Sequence, residues 1–498
     1  MDLLYRSTRG ANEPVTASRA ILQGLAKDGG LFVPDRIPQL TFGPELMTGY
    51  TYQEIAYQVM KLFLTDYTEE ELRSCIDKAY DEKFDTVQIA PLVKVGDAYH
   101  LELFHGATIA FKDMALSILP HLMVTAQKKN HLDREIVILT ATSGDTGKAA
   151  LAGFADVAGT RIIVFYPKDG VSKIQKLQMV TQKGANTAVV GIHGNFDDAQ
   201  TGVKKLFGDR DLAAKMEVAG FCFSSANSIN IGRLVPQVVY YVYAYTRLLA
   251  QGVLKNGEPM NVVVPTGNFG NILAAFYARQ MGIPIAKLIC ASNENKVLFD
   301  FFSTGTYDRN RKFILTSSPS MDILISSNLE RLIYQIAGCD PDKCAALMQS
   351  LSESGKYSIT PAMKAKLEPF YGNYASEQET ADRIARVYRE EGYVMDTHTA
   401  VASAVYEKYR NETKDETMTV VASTASPYKF LTSVLDAVGA LTPDIADDEF
   451  AKVDRLYEVS GVAVPKAVEE LRNAEILHKR ECDPEDMKDT VLEILGLK

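Results

Sequence analysis

The sequence predicts a doubly wound α/β body, preceded by a small helical unit and followed by a helical tail. Three features carry this reading. Seven short β-rich runs ("EIVILTAT", "RIIVFYP", "NTAVVGI", "GFCFSSA", "MNVVVPTGN", "AKLICASN" and "TMTVVAST") are apolar on both faces and separated by helix-length intervals, as a parallel sheet covered by helices requires. Two S/T-x-x-E boxes stand ahead of apolar residues at helical spacing near the N terminus, which marks helix starts. Beyond the last β-rich run the chain turns acidic and helical in pattern.

The elements follow in order. Residues 1–85 read as a helical unit, with capping boxes at Thr51–Glu54 and Thr68–Glu71. Residues 86–443 form the α/β body, in which 300–395 reads as a helix-rich insertion punctuated by "SSPS". The strands are expected to stop after "TMTVVAST". Residues 444–498 form a C-terminal helical segment, and "DPEDMKDTVLEILGLK" offers Asp483 as a cap and Pro484 in the first turn of a final docked helix.

At 498 residues the chain exceeds what one compact core normally serves. Its net charge of −10, without a basic run, argues against a nucleic-acid-binding surface and leaves small molecules as the expected partners. The six cysteines are scattered without CxxC pairs or His/Cys clusters. Neither a disulfide framework nor a metal site is expected, and a reducing compartment fits. The first residues lack the apolar core of a signal peptide, and no apolar stretch is long enough to cross a bilayer. The expectation is a soluble, cytoplasmic protein without a membrane partner, monomer or homodimer.

Three strand-to-helix junctions are rich in Gly, Ser, Thr and Asn, and such junctions are where open α/β sheets bind ligands. In "TATSGDTGKAAL", Ser143, Gly144, Asp145, Thr146 and Gly147 open a helix, where free amides and hydroxyls suit an anion or simply cap the helix. Thr142 at the first glycine position and Ala149 after the lysine break the P-loop pattern, so a nucleotide kinase is disfavoured. In "VVVPTGNFGNILAAF", Gly267, Asn268, Phe269, Gly270 and Asn271 bring close-approaching amides to a helix start, a cup for a phosphate dianion. The G-x-G-x-x-G fingerprint of nicotinamide cofactors is absent. In "TVVASTASPYKF", Ser423, Thr424 and Ser426 offer neutral hydroxyls to a ligand or cap the next helix.

Lys112, in "LFHGATIAFKDMALSI", lies among Ile109, Phe111 and Met114. An amine there loses hydration, which favours the neutral nucleophile that condenses with a carbonyl. A lone "FKD" would more simply be a snorkelling or Asp-paired lysine. Together with a phosphate cup and a hydroxyl-lined strand end, the lysine points to pyridoxal phosphate.

The ordered set "ELFHGATIAFKDMA", "TSGDTGKAAL", "SSANSINIGRLVPQ", "PTGNFGN", "SPSMDILISSNLERL" and "STASPYKF", with "SRAILQGLAKDGGLFVP" near the start, resembles the threonine synthase family over most of the chain, closest to its long bacterial and fungal type. The resemblance implies pyridoxal phosphate fold type II: two doubly wound α/β units with the cofactor between them, the smaller at about 110–225. It implies a Schiff base at Lys112, a phosphate cradle at Gly267, Asn268, Phe269, Gly270 and Asn271, and Thr424 as partner of the pyridine nitrogen. For the substrate, O-phospho-L-homoserine, it implies Ser143, Thr146, Asn227, Ser228, Arg233 and Asn268. The implied reaction is γ-elimination of phosphate and β-addition of water, giving threonine. Ala107, Ser426 and Asp145 depart from patterns seen in relatives. A carboxylate beside the cofactor's phenolate would repel it, so Asp145 is assigned no cofactor contact. His105 reads as structural or catalytic. The rival readings are a phospho-lyase releasing 2-oxobutyrate and a catalytically silent binding or regulatory relative.

Overall fold

The computed structural model describes residues 2–10, 13–142, 144–169 and 171–498. Both N-terminal capping boxes close. Thr51 and Thr68 accept the amides of Glu54 and Glu71, whose carboxylates reach back to the cap amides, and they start the helices Tyr52–Phe63 and Glu69–Ala79. The unit is not wholly helical, because β1 (Tyr5–Ser7) and β2 (Phe32–Pro34) pair antiparallel. Three residues per strand carry too little alternation to be read from sequence.

Beyond this unit, β3 (Leu92–Val95) and β4 (Ala98–Glu102) form a hairpin, and β5 (Glu135–Ala141), β6 (Thr160–Pro167), β7 (Thr187–Ile192) and β8 (Phe221–Ser224) follow. The later strands are β9 (Met260–Pro265), β10 (Ile285–Ser292), the antiparallel pair β11 (Thr306–Asp308) and β12 (Lys356–Ser358), then β13 (Phe370–Tyr374), β14 (Thr419–Ser423) and β15 (Arg480–Cys482). They build two doubly wound α/β units. One sheet has the order β13-β10-β9-β14-β4-β3, parallel except for β3, and the other is the parallel β15-β7-β6-β5-β8.

Both sheets are apolar on both faces, and successive residues divide between the helical layers. Val137, Leu139, Ile163 and Phe165 pack toward the helices Phe196–Gly208 and Met487–Ile494, while Ile136, Ile138, Ile162 and Val164 join the large central core. In the larger sheet Val263, Ile289 and Val421 face the helix Thr397–Thr413. Val262, Val264 and Val420 face the other way, into the core shared with the helix Ile231–Ala250. Each such side chain contributes about 1.5–3 kcal/mol, so the frame that carries the strand ends is rigid.

All seven β-rich runs are strands, but the chain does not stop making them. β15 lies in the tail and pairs parallel to β7, and the 300–395 insertion contains β11, β12 and β13. These edge strands hold charged, Gly or Asn residues that hide a β signal. Pro484 opens a 3-10 turn that runs into the final helix, while Asp483, at its cap, makes no side-chain capping bond. The six cysteines are free, and no metal-binding cluster is present among the described residues. No helix of the described residues is long and apolar enough to cross a membrane.

Candidate active site

The strand order gathers the motifs. β9, β14 and β4 are neighbours in the larger sheet, so the segments after their carboxyl ends meet at one edge. The segment carrying Lys112 is stitched to the end of β14. Phe111 N donates to Thr424 O at 2.8 Å, Ser426 N to Ile109 O at 3.0 Å, and Ala110 bridges Ala425. Ile109 is held left-handed at φ 53°, a costly state for a β-branched residue that persists only where surroundings enforce it. Asp113 accepts from Thr108 N and Oγ1 at 2.8 and 2.6 Å, so the carboxylate next in sequence secures the turn instead of neutralising Lys112.

Lys112 is half-buried, with Nζ 4.9 Å from the Phe111 ring centroid and donating to Ser320 Oγ at 3.2 Å. Burial brings its pKa down to about 8; Asp145 opposes this, while Lys429 and Arg233 add to it. Near neutral pH a usable fraction of the amine is therefore unprotonated. Asp145 opens the helix Asp145–Phe154. Burial resists its ionisation, but Lys429 and Lys112 outweigh burial and hold the carboxyl below the usual range. Its Oδ1 accepts from Lys429 Nζ at 2.9 Å and Gln175 Nε2 at 3.0 Å. Lys429 also donates to Thr108 O at 3.0 Å. The charge that argued against Asp145 as a cofactor contact is thus compensated by a buried lysine of the other α/β unit.

The second junction leads from β9 directly into a helix. Phe269, left-handed at φ 66°, precedes the helix Gly270–Gln280, and its ring is anchored by Phe302 and Phe370 at centroid distances of 6.2 and 6.1 Å. That anchorage stabilises an unusual backbone state, and the helix's first amides have no intrahelical acceptor. A Cβ on Gly267 would lie 2.5 Å from Ser320 O. The carbonyls of the turn are occupied from behind: Gly267 O by Ser326 Oγ at 2.6 Å, and Asn268 O by Asn328 N and Nδ2, each at 3.0 Å. Asn271 Oδ1 accepts from Tyr240 and Tyr241 hydroxyls at 2.7 and 2.5 Å, leaving its buried Nδ2 without a partner among the described residues.

The residues expected to hold substrate are placed unevenly. Arg233 is 3% exposed, on the third position of the helix Ile231–Ala250. It donates to Ala226 O at 3.1 Å, its Nε has no partner among the described residues, and burial brings its pKa down to about 10. Thr146 is half-buried at the start of its helix, but Thr142 Oγ1 already accepts the neighbouring amides of Gly144 and Gly147 at 3.0 and 2.9 Å. Ser228 is half-buried, Asn227 is exposed, and no hydrogen bond joins either to Lys112 among the described residues. Ser143 lies outside the described residues. Thr424 is buried at 5% exposure, one residue beyond β14. His105 sits apart, paired with Asp85 and Glu102 at 2.6 and 3.0 Å.

Sequence reasoning passed over three residues at the centre. Ser320, inside the quoted "SPSM", and Lys429, inside "SPYKF", were within reach of the motifs. His398, which accepts from Ser320 N at 3.3 Å, had no signal beyond being a histidine near a helix start.

This donor set fits pyridoxal phosphate: a desolvated amine for the aldehyde, a glycine-lined turn with no room for a Cβ, and a buried orphan amide at the helix start for the phosphate. Comparison with known proteins agrees. Residues 4–80 match the family model "Threonine synthase N terminus", 91–424 match "Pyridoxal-phosphate dependent enzyme", and 399–475 match "Threonine synthase, C-terminal". Threonine synthase of Saccharomyces cerevisiae is 33% identical over 95% of this chain and 97% of its own length. Human "Threonine synthase-like 1" is 42% identical over 84% of this chain, which spans 58% of that longer relative. The crystal structure of pyridoxal-phosphate-bound threonine synthase from Brucella melitensis superposes with a TM-score of 0.88 at 32% identity, covering 99% of both chains.

Proposed function

The chain belongs to the threonine synthase family of pyridoxal-phosphate-dependent enzymes, and from that premise we propose that it converts O-phospho-L-homoserine and water to L-threonine and inorganic phosphate. The observation that carries this reading is a pair of incompletely neutralised cations. Among the described residues the buried Arg233 has an orphan Nε and no carboxylate partner, and it stands close enough to Lys112 to disfavour that lysine's charge. Buried charge of this kind is costly unless an anion meets it. A substrate bearing both a phosphate and a carboxylate supplies that anion.

In this reading the amides of 267–271 and Asn271 Nδ2 would hold the phosphate of pyridoxal phosphate, Lys112 would be the amine offered to its aldehyde, and Thr424 would be the hydroxyl offered to its ring nitrogen. Pyridoxal phosphate, when bound, supplies an electron sink for negative charge developing beside the substrate's amino group. The chain's own groups do the rest. Arg233 grips a substrate oxyanion with its planar fork, assisted by Ser143, Thr146, Asn227, Ser228 and Asn268. The Lys112 amine, its pKa brought down to about 8 by burial, takes a proton from the substrate's α carbon and shuttles protons further along the side chain. The buried Asp145–Lys429 pair keeps its charges engaged with each other, so that neither competes for the substrate. A β proton is also removed as the γ C–O bond breaks with loss of phosphate, the γ carbon is protonated, water adds its oxygen at the β carbon, and a proton returned to the α carbon completes threonine. The same reading divides the chain into an N-terminal unit over 1–85, a cofactor-binding body over 86–443 and a C-terminal segment over 444–498, acting as a cytoplasmic monomer or homodimer.

The test is to incubate the purified chain with O-phospho-L-homoserine and pyridoxal phosphate and measure threonine, phosphate and 2-oxobutyrate. Threonine equal to the phosphate released is expected, together with an absorbance band near about 410 nm that Lys112→Ala abolishes. Predominant 2-oxobutyrate would make the chain a phospho-lyase on the same site, and no visible band would make it a silent relative.

A further inference from the structure

Ser320 occupies the junction of three charged or polar systems and is used by nothing described so far. Its Oγ accepts from Lys112 Nζ at 3.2 Å and donates to Asp145 Oδ2 at 3.4 Å. Its amide donates to His398 Nε2 at 3.3 Å, and His398 Nδ1 lies 3.0 Å from Asp396 Oδ2. These partners fix the tautomer: Nδ1 carries the proton toward the carboxylate, and Nε2 accepts from the Ser320 amide. Asp396 and His398 are 1% and 3% exposed, so this anchor is not solvent-averaged.

The segment around Ser320 is fastened along its length. Asn293 Nδ2 reaches Ser318 Oγ and Asp322 Oδ1 at 2.9 and 2.8 Å, Thr316 N reaches Asp322 Oδ2 at 3.0 Å, Ser317 N reaches Glu377 at 2.8 Å, and Thr397 Oγ1 donates to Ser317 O at 2.8 Å. A hydroxyl held this firmly is a fixed point, whereas a lysine has a flexible four-carbon stem and a strongly hydrated head.

We propose that Ser320 is a positioning residue that catches the unlinked Lys112 amine and couples it to Asp145, with His398 and Asp396 holding Ser320 in place. The inference rests on the reading of Lys112 as the lysine that leaves and rejoins the cofactor. In that cycle the amine must stand at a defined point to move protons over hydrogen-bond distance. Ser320 defines the point. It also passes the influence of Asp145 to an ammonium whose other charged neighbours are the cations Lys429 and Arg233 and the Thr108-bound Asp113.

Competitive acetylation tests this on the full chain freed of cofactor with hydroxylamine, using trace acetic anhydride as the probe from pH 6 to 10. Lys112 labelling is read by peptide mass spectrometry against an exposed lysine. Losing the hydroxyl removes an acceptor for the charged amine, so Ser320→Ala is expected to lower the labelling midpoint by about half a pH unit, with roughly threefold more labelling at pH 7. Ser320→Thr should behave as the wild type. His398→Leu should shift the midpoint in the same direction, and the double variant with Ser320→Ala should shift no further than Ser320→Ala alone. An unchanged midpoint in Ser320→Ala, or an additive shift in the double variant, overturns the proposal. Borohydride trapping of pyridoxal phosphate on the wild type is scored separately: its failure removes the reading of Lys112, while unchanged acetylation removes only the role of Ser320.

Discussion

Replacing Lys112 by methionine should stabilise the cofactor-free chain, because the fold holds this amine against its preference. Its pKa falls from 10.5 to about 8 on folding, and at 1.36 kcal/mol per unit the protonated form costs the folded state about 3 kcal/mol at pH 7. Methionine fills similar space but gives up the bond to Ser320, worth about 1 kcal/mol, so the net gain is about 2 kcal/mol. For 498 residues the unfolding entropy is about 1 kcal/mol/K, which makes this a rise in Tm of about 2 °C. The pH dependence has a definite sign. A base whose folded pKa is depressed carries its full penalty below the folded value and sheds it as pH rises toward the unfolded one. Between pH 7 and 9 the wild type should therefore regain about 1 kcal/mol, and the variant's advantage should shrink by that amount. Thermal unfolding followed by circular dichroism at pH 7 and 9 measures both quantities. A variant no more stable than the wild type at pH 7, or an advantage that does not fall by pH 9, would refute the picture of a strained, desolvated amine.

Three further outcomes follow from named contacts. Arg233→Met should lower kcat/KM at least about 100-fold, the effect of losing a buried charge contact worth roughly 3 kcal/mol, without losing the cofactor band, and Arg233→Lys should not restore it because one point charge replaces a planar fork; steady-state kinetics beside absorbance spectra check this. Gly267→Ala places a Cβ 2.5 Å from Ser320 O, so equilibrium dialysis should show pyridoxal phosphate affinity weakened about tenfold or more, about 1.4 kcal/mol. At His105 burial disfavours the charge, but the bonds to Asp85 and Glu102 outweigh it and push the pKa from 6.5 up to about 9. Its contribution, about 1 kcal/mol after screening at the exposed Asp85, is complete below pH 6.5 and lost as pH rises through 9, so the wild type should lose more Tm than His105→Gln between pH 6 and 9.5.

What the sequence discloses is what local chemistry determines. The capping boxes at Thr51 and Thr68 were legible because box and helix occupy the same few residues. The runs that became β5 to β10 and β14 were legible because both faces of each are apolar. β13, with Gly372 and Asn373 in its five residues, and β15, with Arg480 and Glu481, carry no such mark; neighbouring strands recruit them. The same division holds at the site. Lys112 and the 267–271 turn can be singled out from their own flanks, but the partners that define their chemistry are remote. Ser320 is 208 residues from Lys112, and the charge on Asp145, which looked like an obstacle, is answered by Lys429 of the neighbouring α/β unit. Lys112 and Lys429 follow neighbouring strands of the larger sheet, Asp145 follows β5 of the other sheet, and Ser320 lies between β11 and β12, so only the tertiary fold relates them.

That separation has a physical consequence for how such a site is specified. The cations Lys112, Arg233 and Lys429 and the anions Asp145 and Asp113 meet in one desolvated region, with Lys148 coupled to Asp113 and Lys429 at its side. Pairing satisfies Lys429 with Asp145, and the Thr108 bonds satisfy Asp113. Among the described residues Arg233 is left without a hydrogen-bonded carboxylate, and Lys112 reaches one through a serine hydroxyl. Hydrophobic burial in the flanking sheets is large enough to tolerate these two deficits, each of a few kcal/mol. A ligand that brings a carbonyl to one and an oxyanion to the other relieves both at once. Binding and the reactivity of the amine therefore draw on the same incompletely met electrostatic demand. Substitutions that meet it internally should raise stability and lower activity together.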